Sequence, residues 1–548
     1  MPLRIAVIAD SHFHPAGLPD AEWASDRLFN ARNAVAVAMV ERARPDLVIH
    51  LGDVVHPIPG LPAHATALAE ARATYGALTV PLHVVPGNHD VGDKPHPWAP
   101  APSVSDEKHA TFSSWWGPPW WCVERDGVRL VAVDTPVLNS GLALEEQQWA
   151  WLEETLRPGG PRTFVFLHYP LFLLRPDEPE HYDNVAEPAR GRLLELLARA
   201  GAEAVFCGHV HHPFWNLHRG TDHYLLPSTA FVRPGYAELG HVGPGAAFGR
   251  DDADRLGFCL LDIDERGHRV SWIRTEGATE DHERRVPEPP PSCPLGLTLR
   301  HAWDAVHDLA ADGLEPFRRK RARNDLVLLA VLELGSTLLR VPFDDLRSPE
   351  TRERMVAVAR WGLRFVLFGA DPLTAEDRAL VATHADLVAA VELVVHRGRL
   401  GDPLPELPVP RWVSALGRAP TETGSHTHFA PIGFLPDERP EVDAEAIVVR
   451  VEPDVDPRIV VPTLGPGRVA LVVLPRAGES RCFDDDASVE QRVQAAFLAA
   501  VENPGVTVIL DTTVDHDRGY FPRHALLDRR GNPRRAFHSL VRWSRAAR

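Results

Sequence analysis

The sequence predicts an α/β protein in two parts: a layered α/β domain over residues 1–285 and a (β/α)8 barrel over 295–548, joined by a proline-rich linker at 286–294. Three observations predict it. Short apolar runs alternate with helical stretches along most of the chain, the pattern of buried strands covered by helices. The densest proline run, Pro287-Glu288-Pro289-Pro290-Pro291-Ser292-Cys293-Pro294, can join neither a central strand nor a helix interior. Beyond it, eight strand-like runs fall within about 250 residues, the span of such a barrel.

In the first part, Ile5–Ala9, Leu47–His50, Leu82–Val85, Leu130–Val133, Thr163–Leu167 and Ala204–Cys207 read as buried strands. Leu28–Ala43, Glu145–Leu156 and Arg190–Ala200 carry helical periodicity between them. Tyr224–Leu226, Gly257–Ile263 and Arg269–Arg274 then follow without helices, so these later strands should complete a second sheet. The barrel strands are expected at Leu297–Leu299, Leu338–Val341, Arg364–Phe368, Val391–Val395, Trp412–Leu416, Ala446–Val451, Val469–Leu474 and Val506–Leu510.

Composition sets outer limits. The 548 residues are 44% apolar and 24% charged, which excludes disorder as the main state. A net charge of −17 repels a nucleic-acid backbone from the average surface, so no duplex partner is expected. Only Lys94, Lys108 and Lys320 are lysines; every other basic residue is arginine. Five scattered cysteines argue for a reducing compartment and against a disulfide framework. No run of 18 apolar residues occurs, and the chain opens on a strand with no room for a signal peptide. The expectation is a cytoplasmic protein without a membrane span; its oligomeric state is open.

Chemistry gathers where the strands end. Asp10 and His12 follow the first strand, Gly52-Asp53 the second, and Gly87-Asn88-His89-Asp90 the third. His168 ends the Thr163–Leu167 run, and Gly208-His209-Val210-His211 follows Ala204–Cys207. Open α/β sheets bind ligands beyond the carboxyl ends of their strands, so five strand ends deliver Asp, His and Asn to one edge. A pair of divalent cations about 3.5–4 Å apart needs a bridging oxygen and several terminal ligands. Asp53 can bridge; Asp10, His12 and His211 can complete one site, and Asn88, His168 and His209 the other. The set holds no thiolate, which favours two divalent or mixed-valence ions, manganese or iron first and zinc next.

The five segments resemble the calcineurin-like metallophosphoesterase superfamily, whose motifs run Asp-x-His, Gly-Asp, Gly-Asn-His-Asp/Glu, His and Gly-His-x-His. The resemblance covers about residues 1–285 and implies a four-layer α/β/β/α sandwich. It implies metal ligation by Asp10, His12, Asp53, Asn88, His168, His209 and His211, with His89 facing the substrate. The expected reaction is hydrolysis by hydroxide formed on the metals, with His89 stabilising phosphoryl oxygens or protonating the leaving alkoxide. Asp90 is expected to orient His89, or else to cap a turn. His56 stands where purple acid phosphatases carry a tyrosine ligand, so that chemistry is not expected. The Pro86–Gly92 and His168–Pro170 segments look more like the cyclic-nucleotide and glycerophosphodiester phosphodiesterases, a branch that hydrolyses small phosphodiesters although many of its relatives accept phosphomonoesters, so a phosphodiesterase is expected ahead of a monoesterase.

Three features bear on specificity. Trp115-Trp116-Gly117-Pro118-Pro119-Trp120-Trp121 could stack a base or sugar, or plug a domain boundary. His181-Tyr182-Asp183-Asn184 could cap the pocket or form a plain surface loop. The end of the chain, from Asp511-Thr512-Thr513 through Arg518-Gly519-Tyr520 to Phe537, resembles glycosidase-type barrels over about 40 residues. Retaining glycosidases need two carboxyl groups, in related barrels ending strands four and seven. Here those ends read His396-Arg397-Gly398 and Pro475-Arg476-Ala477, while single carboxylates follow other strands at Asp344, Asp371, Glu452 and Asp511. A non-catalytic barrel is expected. The competing function is a carbohydrate-handling protein whose metal domain dephosphorylates a sugar or glycan held by the barrel.

Overall fold

The computed structural model describes residues 2–15, 23–97, 99, 101–237, 239, 245–283, 286, 292–300, 303–310, 319–370, 372–419, 431–474, 486–515 and 524–546. The chain divides into two compact units. The first comprises Met1–Pro287 together with Val306–Leu326, and the second Glu288–Ala305 together with Val327–Arg548. Sequence reading assigned all of 295–548 to the barrel. Residues 306–326 group instead with the first unit, because Arg323 donates to the Trp215 carbonyl at 2.8 Å and Asp325 accepts the Trp215 amide at 2.9 Å.

The first unit is built on two sheets. One runs β11-β10-β1-β2-β3, from Leu3–Ile8 (β1), Leu47–His50 (β2), Leu82–Val84 (β3), Gly257–Asp264 (β10) and Gly267–Arg274 (β11). The other runs β4-β5-β6-β7-β9-β8, from Trp121–Arg125 (β4), Val128–Val133 (β5), Arg162–Leu167 (β6), Ala204–Cys207 (β7), Phe214–His218 (β8) and Thr221–Leu225 (β9). β1, β2 and β3 pair parallel, as do β5, β6, β7 and β9. Helices Phe29–Ala43 and His64–Tyr75 share an apolar core with the first sheet; Ala143–Thr155 and Ala189–Ala200 share another with the second. Opposite faces meet between the sheets, where Phe164 and Tyr224 of the second sheet stand edge-on to His268 of the first, with centroids 5.5 and 5.8 Å apart. This is the α/β/β/α order.

β4 and β8 were not expected from the sequence. Both are edge strands of the second sheet, and β4 buries only Trp121, so no apolar run marks it. Trp115 and Trp116 close helix Asp106–Trp116 and pack against the first sheet's core. Trp121 Nε1 donates to the Val84 carbonyl at 3.0 Å, tying one sheet to the other. These tryptophans therefore serve the core of their own domain rather than a stacking platform.

The second unit is a closed barrel of eight parallel strands: Gly296–Thr298, Leu338–Pro342, Arg364–Ala370, Val388–His396, Arg411–Leu416, Ala446–Val451, Arg468–Val473 and Thr507–Asp511. Every expected strand is present. Closure leaves no edge, so each strand is buried on both faces and reads as an apolar run. Of the strand-end carboxylates, Asp344 pairs with Arg347, Glu452 with Arg450, and Asp511 with Arg300. Asp371, Pro475-Arg476-Ala477 and Arg518-Gly519-Tyr520 lie outside the described residues, as do Pro287–Pro291 of the linker. Sequence reading missed Glu392, fully buried in the fourth strand, where it takes two bonds from Arg340 and one from Ser414.

Cys122, Cys207, Cys259 and Cys293 are free thiols, and Cys482 lies outside the described residues. Among the described residues no helix is long and apolar enough to cross a membrane.

Candidate metal centre

The loops after β1, β2, β3, β6 and β7 converge at one end of the two sheets. Asp10 accepts the His209 amide at 3.0 Å, so the loop after β7 is stitched to the loop after β1. The His12 amide donates to the Asp53 carbonyl at 3.0 Å, and the His89 amide to Asp53 Oδ1 at 2.8 Å. Gly52 adopts φ +93°, and a β-carbon there would lie 2.5 Å from the Gly87 nitrogen, so the loops after β2 and β3 can touch only through glycine.

Two overlapping donor groups result. Asp10, His12, Asp53 and His211 offer atoms all within 4.8 Å of one another, as do Asp53, His168 and His209. Asn88 joins the second, its Oδ1 lying 3.0 Å from His168 Nε2 and 3.1 Å from His209 Nδ1. Asp53 belongs to both: Oδ2 is 3.5 Å from His12 Nε2, and Oδ1 is 3.4 Å from His168 Nε2. His12 Nε2 and His211 Nε2 are 3.1 Å apart. Ligands about 2.1 Å from one ion and at right angles lie about 3.0 Å apart, so these spacings fit coordination. All of these side chains are buried.

The backbone is unusual at the same places. Asp10, His12, Asp53, His209 and His211 have φ of 53°, 43°, 52°, 71° and 54°, the left-handed region that non-glycine residues rarely occupy. Such strain persists where surrounding structure holds it, and it gathers at functional sites.

Hydrogen bonds set which nitrogens face inward. His168 Nδ1 donates to the Leu51 carbonyl at 2.8 Å and His211 Nδ1 to the Phe231 carbonyl at 3.0 Å, which turns both Nε2 atoms toward the carboxylates. Burial drives the His12 and His209 imidazoles well below their ordinary range, toward the neutral form a ligand needs. Burial pushes Asp53 up and His168 down, but their mutual attraction outweighs it: Asp53 is held well below the usual carboxylate range and His168 rises to about 9.

His89 and Asp90 part company. His89 is half-buried at the rim, and its Nδ1 donates to the His56 carbonyl. Asp90 does not orient it: Asp90 Oδ2 accepts the Gly87 amide at 2.9 Å and Oδ1 the Val54 amide at 3.1 Å. The reason is helical geometry. Both sit on the short turn Asn88–Val91, where consecutive side chains point about 100° apart. His56 lies with His12 and His89 in a third group of close nitrogens; His56 Nδ1 is 3.3 Å from His12 Nδ1.

The 181–184 loop is not a plain surface loop. Asp183 and Asn184 are fully buried, and Tyr182 stands beside Asn88, whose Nδ2 is 3.4 Å from the phenol oxygen. Asp183 Oδ1 lies 3.2 Å from His209 Nε2, in an oblique approach. Around the same carboxylate stand Arg233, Tyr236 and Lys320. Burial pushes Asp183 up, but Arg233 and Lys320 hold it well below the usual carboxylate range. Of this cluster the sequence singled out only the 181–184 segment; for Arg233, Tyr236 and Lys320 the one available signal was that Lys320 is a rare lysine in an arginine-rich chain.

Residues 3–213 match the family model described as calcineurin-like phosphoesterase. A zebrafish (Danio rerio) protein, serine/threonine-protein phosphatase CPPED1, is 30% identical over 210 residues, 37% of this chain and 65% of its own length. The human protein of that name is 28% identical over 178 residues, 31% of this chain and 54% of its own length. Glycerophosphodiester phosphodiesterase GpdQ of Enterobacter lignolyticus is 30% identical over 248 residues, 42% of this chain and 79% of its own length. The chain thus spans less than two thirds of the length of these CPPED1 relatives.

Proposed function

The chain belongs to the calcineurin-like phosphoesterase family, and on that premise we propose that it is a hydrolase with a dinuclear metal centre acting on a small phosphodiester. The observation that carries the reading is the Asp53 carboxylate, whose two oxygens face two different donor groups. Asp10, His12 and His211 would hold one divalent cation with it, and Asn88, His168 and His209 the other. Imidazole, carboxylate and amide donors suit manganese, iron or zinc. Bound there, such ions supply Lewis acidity toward phosphoryl oxygens and activate a water for in-line attack.

The rest is the work of this chain's own residues. The Leu51 and Phe231 carbonyls keep the ligand imidazoles in one tautomer and orientation. His89, anchored through Nδ1, has its other nitrogen available to steady phosphoryl oxygens or return a proton to the leaving alkoxide. The buried carboxylates and imidazoles hold their positions before substrate arrives, so little reorganisation is needed during reaction.

A diester is favoured because the alignment with the diesterase GpdQ runs over 248 residues and 79% of that protein. A monoester is the second reading, supported by the phosphatase name of the CPPED1 relatives. For the barrel we propose a non-catalytic role; among its described residues Glu392 is engaged by Arg340 and Ser414. The test is turnover of bis-p-nitrophenyl phosphate, p-nitrophenyl phosphate and p-nitrophenyl glycosides by metal-free protein reloaded with manganese, iron or zinc. Expected is metal-dependent cleavage, fastest on the diester, with no glycoside turnover. A faster monoester rate selects the second reading, and turnover untouched by chelation refutes both.

A further inference from the structure

Asp183 stands behind the centre with each of its oxygens committed. Oδ1 faces His209 Nε2 at 3.2 Å and also takes the Arg233 guanidinium. Oδ2 accepts from Tyr236 Oη at 2.8 Å and from Lys320 Nζ at 2.5 Å. Asp183 is fully buried and Lys320 is 6% exposed. Beneath the same loop, Lys94 Nζ donates to the carbonyls of His181 at 2.7 Å and Asn184 at 2.6 Å. Two of the three lysines in the chain therefore converge on residues 181–184. That choice has a physical sense. A guanidinium already occupies one side of Asp183, and the compact ammonium fits where a second planar fork would not.

His209 Nε2 makes no aligned hydrogen bond to Asp183, but the two atoms are 3.2 Å apart, and a carboxylate that close favours the tautomer with its proton on Nε2, which presents Nδ1 as a lone pair. His209 Nδ1 faces Asn88 Oδ1 at 3.1 Å and His168 Nε2 at 3.3 Å. A carboxylate held only from the Oδ1 side can rotate about its own axis. Tyr236 and Lys320, grasping Oδ2, remove that freedom.

We propose that Lys320 is a positioning residue for the metal centre, acting through Asp183 to hold His209 with Nδ1 directed at its cation. The proposal rests on the dinuclear reading above. Lys320 lies on the segment Val306–Leu326, which belongs to the phosphoesterase unit although it follows the first barrel strand in sequence. A residue beyond the proline-rich linker thus finishes a ligand set that the first 211 residues supply.

The experiment titrates manganese into the metal-free full-length chain by calorimetry, for the wild type, Lys320→Met and Asp183→Asn. Absorption of the cobalt-loaded forms reports the ligand field independently. The expected wild type takes up two ions. Both variants should keep one ion at wild-type affinity and bind the other about 10–100-fold more weakly, the usual effect of losing a partner behind a ligand. Their cobalt bands should shift in the same direction. If Lys320→Met does not yield folded protein, Asp183→Asn, which keeps the side chain's shape, decides by itself. Two wild-type affinities in the folded variants overturn the proposal, as does equal weakening of both sites, which would mean general loosening. A wild type that takes up fewer than two ions overturns the dinuclear reading itself, and this proposal with it.

Discussion

A β-carbon on Gly87 would lie 2.3 Å from the Asp53 carboxylate oxygen. Gly87 itself has an ordinary extended backbone, φ −103°, so closeness to Asp53 rather than turn geometry requires glycine here. Gly87→Ala should displace Asp53, costing about 1–3 kcal/mol or more in stability, as overpacking does. Metal content by plasma emission, with the thermal midpoint, checks this. A variant with full metal and an unchanged midpoint would contradict it.

Asp53→Asn removes the charge shared by both donor groups while keeping the shape. Both metal content and turnover should fall by orders of magnitude, about 10²-fold or more in rate. Near-normal turnover of the metal-stripped variant would refute the bridging role.

His89→Ala should keep both ions and lose about 10²–10⁴-fold in rate. The loss should be smallest with p-nitrophenolate leaving groups, which need little protonation. Side-by-side metal analysis and rates on alkyl and aryl esters check it, and loss of an ion would make His89 a ligand.

Glu203 offers a pH test away from the centre. Burial pushes its carboxyl up, but hydrogen bonds from His268 and Arg162 outweigh that and bring it from 4.5 to about 2. A carboxyl lowered by folding stabilises above its unfolded pKa and loses that contribution as pH falls toward its folded one. Glu203→Gln should therefore lower the thermal midpoint at neutral pH, with the gap to wild type narrowing below about pH 4.5. A gap independent of pH would dismiss the charge as its cause.

In the barrel, Arg340 and Glu392 are both buried to 1% or less and meet through two hydrogen bonds. Removing one partner strands a charge, so Arg340→Met should cost about 3–5 kcal/mol, while the double replacement Arg340→Met/Glu392→Met should recover most of it. Urea unfolding of the wild type and both variants measures both effects.

What the sequence disclosed depended on what each feature must show. A strand covered on both faces writes itself as an apolar run, which is why all eight barrel strands were legible. Edge strands such as Phe214–His218 carry no such mark. The candidate metal donors were legible because each follows a strand end at a short, fixed spacing. Asp183, Arg233 and Lys320 were not, since they meet from positions 50 and 137 residues apart in a pattern that no local spacing encodes. Asp90 misled for the opposite reason. Adjacency to His89 in sequence becomes divergence on a helical turn.

The return of residues 306–326 to the phosphoesterase unit also sets a timetable for synthesis. Ribosomes add about 5–20 residues per second, and chains of several domains ordinarily fold from the amino terminus, one domain after another. Here the last stretch of the first unit is separated from Pro287 by Glu288–Ala305, which belongs to the barrel. Lys320 is therefore polymerised roughly 2–7 seconds after Pro287 at those speeds. For that interval the nascent phosphoesterase has every strand of its two large sheets but neither the small pair Val306–Asp308 and Arg321–Arg323 nor the ammonium beneath Asp183. The barrel's opening strand must meanwhile wait for its closing neighbour, Thr507–Asp511. Recombination would face the same interleaving: a cassette cut at the prolines would carry one domain's residues away with the other.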